Sequence, residues 1–293
     1  MKIKIGSRES KLAVEQANIV IRQLKSQYKN IEIELLTMKT TGDIILDKTL
    51  DKIGGKGLFI KELDKALIDN KTDISVHSLK DMPMDIDESL PIIAYLKREI
   101  PLDVLILPKG INYIDIKKPI GTSSKRRVFQ LKKIYKEHSF KPIRGNILTR
   151  LEKLDNGEYS ALVLAYAGIK RLNLEERIFK IFNNNEILPA CGQGIIAIQG
   201  EKGKDYSYLD FLNDKNTEYE ARCERAFVRE LNGGCSLPIC AFATIEKDKI
   251  ILKGFYADDN NYILKEKIGN IEDYEKIGID LAKKFKEIID ENR

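Results

Sequence analysis

Apolar residues follow two different periods in the first two thirds of the chain. Residues 31–37 (IEIELLT) alternate between apolar and polar side chains, which predicts a strand. From Leu12 to Leu24, apolar residues instead recur at helical spacing, and Lys, Glu and Gln fill the positions between them. Strand-like and helical stretches then succeed one another as far as about residue 212. This order predicts βαβ units, a mostly parallel sheet and an α/β fold.

The same patterns place the individual elements. Predicted strands lie at residues 2–5, 31–37, 73–76, 91–96, 103–107, near 142, at 160–165 and between 188 and 199. Predicted helices follow Ser10, span 58–69, run from Ser124 to about 136 and end near 155. No clear period is present at about 38–56, a length that indicates a mobile functional loop rather than a plain connection.

The last third of the chain has a different pattern. A helix rich in Glu and Arg at 216–231 ends before Gly233 and Gly234. The elements predicted after it are three strands at about 238–246, 249–257 and 261–268 and a helix at about 272–290. A helix, three sequential strands and another helix predict a small α+β domain with an antiparallel sheet.

Composition narrows the class of protein. The 293 residues are 32% charged, and no apolar run approaches the ~18–20 residues that span a bilayer. The first residues contain no apolar stretch long enough for a signal peptide, so we expect a cytoplasmic protein with no membrane partner. The net charge of +5 comes from 50 basic and 45 acidic residues mixed along the chain, which argues against a nucleic-acid partner.

Several arginines lie where a predicted strand gives way to a helix. Arg8 follows Gly6-Ser7, Arg126 and Arg127 follow GTSSK, and Arg144 precedes Gly145, with Arg150 on the next helix. Helix N-termini offer free N–H groups, and the guanidinium fork grips a carboxylate or phosphate with two bonds. The transitions together therefore predict a site for several anionic groups, although any single arginine could be a solvated surface charge.

Lys80 and Asp81 follow a predicted buried strand, where open α/β sheets place their ligand crevice. Asp81 could act as a general acid or base, or hold a developing cation, and Lys80 would pair with an anionic group. The alternative is an aspartate that caps the turn before Met82-Pro83.

Two glycine-rich stretches each contain a further candidate functional residue. The stretch Gly54-Gly-Lys56-Gly57 lacks the spacing of a Walker motif, so it predicts a flexible lid that carries one lysine. Gly233-Gly-Cys235 places a thiol just after a helix, where a thiolate could be a nucleophile or an attachment point. A small buried core residue is the alternative for Cys235, and it is the expected role of Cys223 and Cys240.

Six segments, taken together and in order, resemble one known family. They are GSRESKLA at 6–13, GGKGLFIKELDKAL at 54–67, DISVHSLKDMP at 73–83, GTSSKRR at 121–127, RGNILTRLEKLDNGEYSALVLAYAGIKRL at 144–172 and LNGGCSLPI at 231–239. Over most of its length the chain resembles the porphobilinogen deaminase, or hydroxymethylbilane synthase, family.

The resemblance implies a reaction and a cofactor. Family members condense four porphobilinogens into the linear tetrapyrrole hydroxymethylbilane, with release of four ammonias. They do so on a dipyrromethane cofactor, joined by a thioether to a cysteine that matches Cys235. The family's catalytic aspartate matches Asp81, which would assist loss of ammonia and stabilise the cations that follow.

The resemblance also implies which residues bind the ligands. The expected cofactor-binding residues are Ser78, Lys80, Asp81, Thr122, Ser124, Arg126, Arg127, Arg144, Gly145 and, covalently, Cys235. The expected substrate-binding residues are Arg8, Ser10, Lys56, Phe59, Arg144, Arg150, Arg171 and Gln193. Because each porphobilinogen carries an acetate and a propionate, arginine forks suit the growing polyanion. No metal is expected, which agrees with the presence of only two histidines.

The fold implied by the resemblance has three domains. Two periplasmic-binding-protein-like α/β domains would flank a cleft, and a small C-terminal α+β domain with a three-stranded antiparallel sheet would carry Cys235. Domain 1 is expected at 1–96 and 192–212, domain 2 at 97–191 and domain 3 at 213–293. A monomer that binds only its small-molecule substrate is expected.

Two other interpretations of the sequence remain open. An anion-binding module built as a two-domain clamp explains the arginines but not Asp81 or the turn at Cys235. A nucleic-acid binder explains the positive charge, but basic and acidic residues are evenly mixed and aromatic interleaving is weak. A covalent pyrrole adduct on the purified chain would distinguish the enzyme from both.

Overall fold

The structure is a computed structural model that describes residues 1–44, 57–233, 237–259 and 261–292. The chain divides into two compact units, Met1–Glu99 with Ile195–Glu218 and Ile100–Gly194 with Tyr219–Arg293. The second unit contains most of the residues expected to form domain 2 and most of those expected to form domain 3. The division into three domains stays a prediction.

The first unit is built on a five-stranded sheet in the order β2-β1-β3-β10-β4. Its strands are β1 (Lys2–Arg8), β2 (Glu32–Met38), β3 (Ile74–Ser78), β4 (Ile92–Tyr95) and β10 (Ile196–Gln199). Its helices are α1 (Lys11–Gln27), α2 (Thr41–Ile44) and α3 (Lys61–Ile68), with 3-10 turns at Leu79–Asp81 and Ser207–Leu212. Of the functional loop predicted at about 38–56, residues 45–56 lie outside the described part of the chain.

Helix α1 shows why the predicted elements form. The hydroxyl of Ser10 accepts a hydrogen bond from the backbone N–H of Ala13, which satisfies one of the free donors at the helix start. The apolar stripe that the sequence shows, including Ala17, Val20 and Leu24, is buried against the sheet. Burial of this stripe is the main stabilising contribution to the helix, since isolated helices of this length are marginal in water.

The second unit contains a five-stranded sheet in the order β7-β6-β8-β5-β9. Its strands are β5 (Asp103–Ile106), β6 (Ile120–Gly121), β7 (Phe140–Lys141), β8 (Ala161–Ala165) and β9 (Ile178–Ile181). Its helices are α4 (Lys125–Ile134), α5 (Ile147–Asp155) and α6 (Tyr166–Arg171), with a 3-10 turn at Glu175–Arg177.

The two sheets have the same topology. In each, three strands pair in parallel, β2-β1-β3 and β7-β6-β8. In each, the next strand is antiparallel to both of its neighbours, β10 between β3 and β4, and β5 between β8 and β9. The prediction of similar α/β folds in the two halves is confirmed.

The prediction of a mostly parallel sheet agrees with the strand directions, since four of the five strands in each sheet run the same way. One strand, β10 or β5, is antiparallel to both of its neighbours, which the sequence did not predict. A helical crossover makes successive strands parallel, because the helix of a βαβ unit returns the chain to the same end of the sheet before the next strand begins. Strand β10 instead pairs with β3, more than 100 residues earlier in the chain. No local pattern in the sequence reports the direction of such a pairing.

The C-terminal part of the second unit is an antiparallel sheet and two helices. Its elements are α7 (Lys215–Glu230), which begins in the first unit, β11 (Ile239–Glu246), β12 (Lys249–Ala257), β13 (Tyr262–Asn270), a 3-10 turn at Ile271–Asp273 and α8 (Tyr274–Glu291). The order β11-β12-β13 confirms the predicted three-stranded sheet. Phe227 of α7 contacts Phe285 of α8 edge to face in the core.

Candidate active site

The first group of predicted site residues surrounds the end of strand β3. Residues Ile74 to His77 of this strand are buried, and the chain then enters the 3-10 turn Leu79–Asp81. Leu79 is fully buried, and its carbonyl accepts a hydrogen bond from the backbone of Met82. With the turn anchored in this way, the side chain of Asp81 is exposed at the carboxyl end of a parallel strand. That is the place where open α/β sheets bind ligands.

A small pocket in the first unit joins Asp81 to three other predicted residues, Arg8, Phe59 and Ser78. Gln16 also lines this pocket, and its side-chain amide donates to the Ser78 hydroxyl at 2.7 Å. The pocket therefore combines a carboxylate, a guanidinium, a hydroxyl, an amide and an aromatic ring. Such a set can bind an anionic group beside an acid–base residue.

Two other predicted residues of the first unit belong to elements that line this pocket. Ser10 caps α1 with its hydroxyl, and Lys80 occupies the same 3-10 turn as Asp81. Lys56 lies outside the described residues, so its predicted role is not addressed by the structure.

His77, which precedes Ser78, is buried on the strand and lines the same pocket. Burial lowers the pKa of its imidazole to about 4, so the ring is neutral at neutral pH. His77 can therefore offer a hydrogen bond in the pocket without adding a charge that would compete for the anionic ligand.

Arg126 and Arg127 lie in the first turn of α4, and both side chains are buried. Each donates to the fully buried carboxylate of Asp103 at 2.7 Å, Arg126 through Nη1 and Arg127 through Nη2. Arg126 also donates to the Leu188 carbonyl, and Arg127 to the Val163 carbonyl. Much of their hydrogen-bonding capacity is thus used within the fold, and their role in cofactor binding stays a prediction.

The electrostatics of this cluster follow from burial and pairing. Burial alone would raise the pKa of Asp103, but the charges and hydrogen bonds of Arg126 and Arg127 outweigh it and lower that pKa. Burial lowers the pKa of Arg127, although the adjacent Asp103 opposes this shift. Two cations and one anion leave a net positive charge that suits an anionic ligand.

Gln193 and Arg171 belong to the same region of the second unit. The Gln193 amide donates to Asp103 at 2.9 Å and to the Pro101 carbonyl, which brings it to the two arginines. Arg171, at the end of α6, donates to the Gly194 carbonyl at 2.7 Å. The turn at 191–194, which carries Gln193, is therefore attached to Asp103 of β5 and to the end of α6.

Arg144, Gly145 and Arg150 lie at the start of α5. Asn146 caps this helix through its side chain, and Gly145 has a φ of +110°, which a residue with a Cβ rarely adopts. The Nε atom of Arg150 donates to the Gly145 carbonyl at 2.8 Å. Arg144 precedes the helix and Arg150 lies on its second turn. The unusual backbone at Gly145 thereby brings both arginines to the same end of α5.

Thr122 and Ser124 form the turn that precedes α4. Ser124 is the N-cap and accepts a hydrogen bond from the backbone of Arg127, while Thr122 accepts one from the backbone of Ser124. Ser10, Ser124 and Asn146 confirm that predicted arginines accompany helix N-termini in three places.

Cys235 lies outside the described residues. Cys223 and Cys240 are fully buried, as expected for core residues. Burial raises the pKa of both thiols well above the usual range, which makes them poor nucleophiles.

Sequence reasoning missed several residues that the structure places at the site. These residues are Gln16, Asp43, His77 and Asp103. Gln16 and His77 could have been detected from the sequence. Each is a polar residue at a position where the hydrophobic period of its helix or strand predicts a buried side chain. Asp43 and Asp103 act through partners that are distant in sequence, so no local pattern identifies them.

Two further observations concern the described residues as a set. They contain no group of three or more His, Cys, Asp or Glu side chains that could hold a metal ion. None of their helices combines the length and the apolar character needed to cross a bilayer.

Two sheets of one topology, each with arginines and hydroxyls at helix N-termini, define an α/β protein built to handle anionic ligands. Two family models match the chain: the porphobilinogen deaminase dipyromethane cofactor binding domain over residues 3–208, and the porphobilinogen deaminase C-terminal domain over residues 218–287. The chain belongs to the porphobilinogen deaminase family, whose members are hydroxymethylbilane synthases and thus transferases.

Similar proteins match along nearly the whole chain. The porphobilinogen deaminase of Acetivibrio thermocellus is 60% identical and the alignment covers 96% of this chain and 97% of the relative. That of Alkaliphilus oremlandii is 58% identical over 98% of this chain and 97% of its own. Among solved structures, the periplasmic aliphatic sulphonate binding protein SsuA from Escherichia coli has a TM-score of 0.43 at 11% identity, with 79% of this chain and 70% of that chain covered.

Proposed function

We propose that this chain condenses four porphobilinogen molecules head to tail into hydroxymethylbilane, with uptake of one water and release of four ammonias. Family membership along almost the whole chain is the observation that carries the proposal. The pocket that contains Asp81 and Arg8 supports it, because the reaction needs a carboxylate for cationic intermediates and cations for substrate carboxylates.

We assign Asp81 the catalytic role. Its exposed carboxylate at the end of β3 is placed to receive or hold a proton at a bound pyrrole and to stabilise positive charge that develops there. Arg8 would bind a substrate carboxylate beside it. The other residues to which we assign substrate binding are Ser10, Lys56, Phe59, Arg144, Arg150, Arg171 and Gln193.

A dipyrromethane group attached to Cys235 would supply the pyrrole carbon from which the tetrapyrrole grows. The residues present fit such a group, since its carboxylates need cationic and hydroxyl donors. We assign cofactor binding to Ser78, Lys80, Asp81, Thr122, Ser124, Arg126, Arg127, Arg144 and Gly145. The Nε atom of Arg127 is buried without a hydrogen-bond partner among the described residues, so it retains capacity for an anion.

We also propose that the protein is a monomer and is located in the cytoplasm. Porphobilinogen would be its small-molecule partner, and no nucleic acid or membrane would be needed. The even mixture of basic and acidic residues supports the absence of a nucleic-acid partner.

The intact mass of the purified chain tests the function. We expect an excess equal to two porphobilinogens less two ammonias, located by peptide mapping at Cys235. The Cys235→Ser variant should fold and lack this excess, whereas Cys240→Ala should retain it because that thiol is buried within the fold. A chain that stays unmodified after incubation with porphobilinogen, and does not consume it, would favour the anion-binding clamp instead.

A further inference from the structure

Arg8, which we assign to a substrate carboxylate, is itself held by a carboxylate of the protein. Its Nε atom donates to Oδ2 of Asp43 at 3.2 Å, and its Nη2 atom donates to Oδ1 of the same residue. This is a bidentate pair that uses the side edge of the guanidinium. Both side chains are partly buried, so solvent screens the pair less than it would on an open surface.

Asp43 is in turn fixed by the chain around it. Its Oδ2 atom accepts hydrogen bonds from the backbone N–H of Thr40 at 3.2 Å and from the Thr40 hydroxyl at 2.6 Å. Burial tends to raise the pKa of Asp43, but the hydrogen bonds from Arg8 and Thr40 and the charge of Arg8 outweigh it and lower that pKa. Asp43 is therefore ionised at neutral pH and has a single orientation.

Phe59 covers one face of the same guanidinium. The Cζ atom of Arg8 lies 4.3 Å from the centre of the Phe59 ring, a cation–π geometry. Gly42 allows this arrangement, since a Cβ there would lie 2.2 Å from Cε1 of Phe59. The backbone N–H of Gly42 also donates to the Leu58 carbonyl at 2.9 Å, which joins α2 to the residue before Phe59.

The other edge of the guanidinium remains available. In the described part of the chain, Nη1 of Arg8 donates no hydrogen bond to protein, whereas Nε and Nη2 are both used by Asp43. Arg8 lines the same pocket as Ser78 and Asp81. A guanidinium can bind one carboxylate at its side edge and another at its end edge, because its five N–H groups have a fixed planar arrangement.

We propose that Asp43 is a positioning residue for Arg8. It holds the side edge of the guanidinium and leaves the end edge to bind a carboxylate of the pyrrole substrate next to Asp81. Phe59 stabilises this orientation by covering one face. The inference rests on the proposed function, since it concerns how that site recognises the acetate or propionate of porphobilinogen.

Steady-state kinetics of Asp43→Asn with porphobilinogen test the inference. The neutral amide keeps the shape of Asp43 but loses the charge that holds Arg8, so KM should rise about 10-fold or more, while kcat changes by less than about threefold. Asp43→Glu should restore part of the affinity. An unchanged or lowered KM in Asp43→Asn would overturn the proposal, and a lowered KM would mean that Asp43 competes with substrate.

The matched control is Glu62→Gln. Glu62 accepts hydrogen bonds from the backbone and hydroxyl of Thr41, at 2.9 and 2.7 Å, so it anchors the same short helix α2. Arg8 is not among its hydrogen-bond partners in the described residues. If Asp43 merely stabilised α2, both variants would raise KM equally. We expect Glu62→Gln to leave KM within about twofold of the unmodified protein.

A double-mutant cycle separates this inference from the function. If Asp43 acts through Arg8, Arg8→Lys combined with Asp43→Asn should be no worse in KM than Arg8→Lys alone. Additive effects would show that Asp43 acts independently of Arg8 and would overturn the inference. Failure of the unmodified protein to consume porphobilinogen would instead refute the proposed function, before any variant is compared.

Discussion

At the scale of single residues, Asp81 differs from the other carboxylates described above. Asp43 and Asp103 each accept several hydrogen bonds, so their negative charges are paired with donors of the protein itself. Asp81 is exposed and accepts no hydrogen bond from another described residue. A carboxylate that makes no contact needed for folding is free to interact with a ligand.

Replacement of Asp81 should therefore separate activity from stability. Asp81→Ala should reduce porphobilinogen consumption by about a thousandfold or more, as expected for loss of a group that stabilises a developing charge. Its free energy of unfolding should change by less than about 0.5 kcal/mol, because the side chain is exposed. Asp81→Glu should retain part of the activity. Activity in Asp81→Ala close to that of the unmodified protein would remove Asp81 from the catalytic role.

His77 and Asp64 should influence stability in opposite directions as the pH falls. Burial lowers the pKa of His77 from 6.5 to about 4, so the unfolded chain gains a proton first and stability is lost between these values, by about 3 kcal/mol in all. Burial raises the pKa of Asp64 from 3.8 to about 6, so the folded chain gains a proton first and stability increases as pH falls from 6 to 4.

Urea unfolding at pH 7 and pH 5 can measure the two contributions. His77→Gln should lose less stability than the unmodified protein between pH 7 and pH 5, and Asp64→Asn should lose more. Shifts of the same sign in both variants would contradict this assignment of the buried groups.

At the scale of elements, helix N-termini carry predicted site residues in each of the two units. Ser10, Ser124 and Asn146 cap α1, α4 and α5, and an arginine lies within two residues of each cap. Capping fixes where the helix begins, and thus which side chains leave its first turn. The same capping device therefore recurs beside predicted arginines in each unit, although these arginines are far apart in the sequence.

Substitution of Gly145 tests how much the start of α5 depends on the positive φ at this residue. Gly145→Ala should lower the free energy of unfolding by about 2–3 kcal/mol, since an added Cβ has an unfavourable φ and would lie 2.9 Å from Cγ2 of Thr149. Gly203→Ala is the control, because Gly203 also has a positive φ, +89°, but nothing lies within 4 Å of the added atom. We expect a loss of only about 1 kcal/mol there.

Activity measurements complete this comparison. Gly145→Ala should also raise KM for porphobilinogen, because the Gly145 carbonyl holds Arg150, whereas Gly203→Ala should not. Equal losses of stability in the two variants would show that the helix start adapts to the extra methyl group.

At the scale of the whole molecule, one buried carboxylate joins distant parts of the second unit. Glu224 of α7 accepts hydrogen bonds from the backbone of Gly192 at 2.7 Å and of Ala243 at 2.9 Å. It thus connects the turn that carries Gln193 to strand β11. Cys240 adds a weaker contact, from its sulfur to the Leu188 carbonyl at 3.6 Å.

Glu224→Gln should loosen this connection at both ends. An amide cannot accept both backbone hydrogen bonds as the carboxylate does, so the free energy of unfolding should fall by about 2–4 kcal/mol. Hydrogen exchange should increase in residues 192–194 and 239–243 and stay unchanged in strand β1. Glu230→Gln is the control on the same helix, because in the described part of the chain Glu230 pairs with Lys286 near the surface. Increased exchange at only one of the two segments would contradict the bridging role.

By itself, the sequence determined most of the secondary structure and the chemistry of the site. Predicted elements such as the strand at 249–257 and the helix at 216–231 agree with β12 and α7 to within a residue. Periodicity and capping act within a strand or a helical turn, so they can be read locally. The family segments added the expected roles of Asp81, Cys235 and the arginines, which spacing alone left open, and these roles stay predictions.

Only the tertiary structure decided the direction of β5 and β10 and the partners of the arginines. Asp43 lies 35 residues from Arg8, and Asp103 lies 23 and 24 residues from Arg126 and Arg127. Such pairs form because the folded chain brings opposite charges together in a place from which water is partly excluded, where their attraction is strong. That arrangement depends on every element between the partners, which no local pattern in the sequence contains.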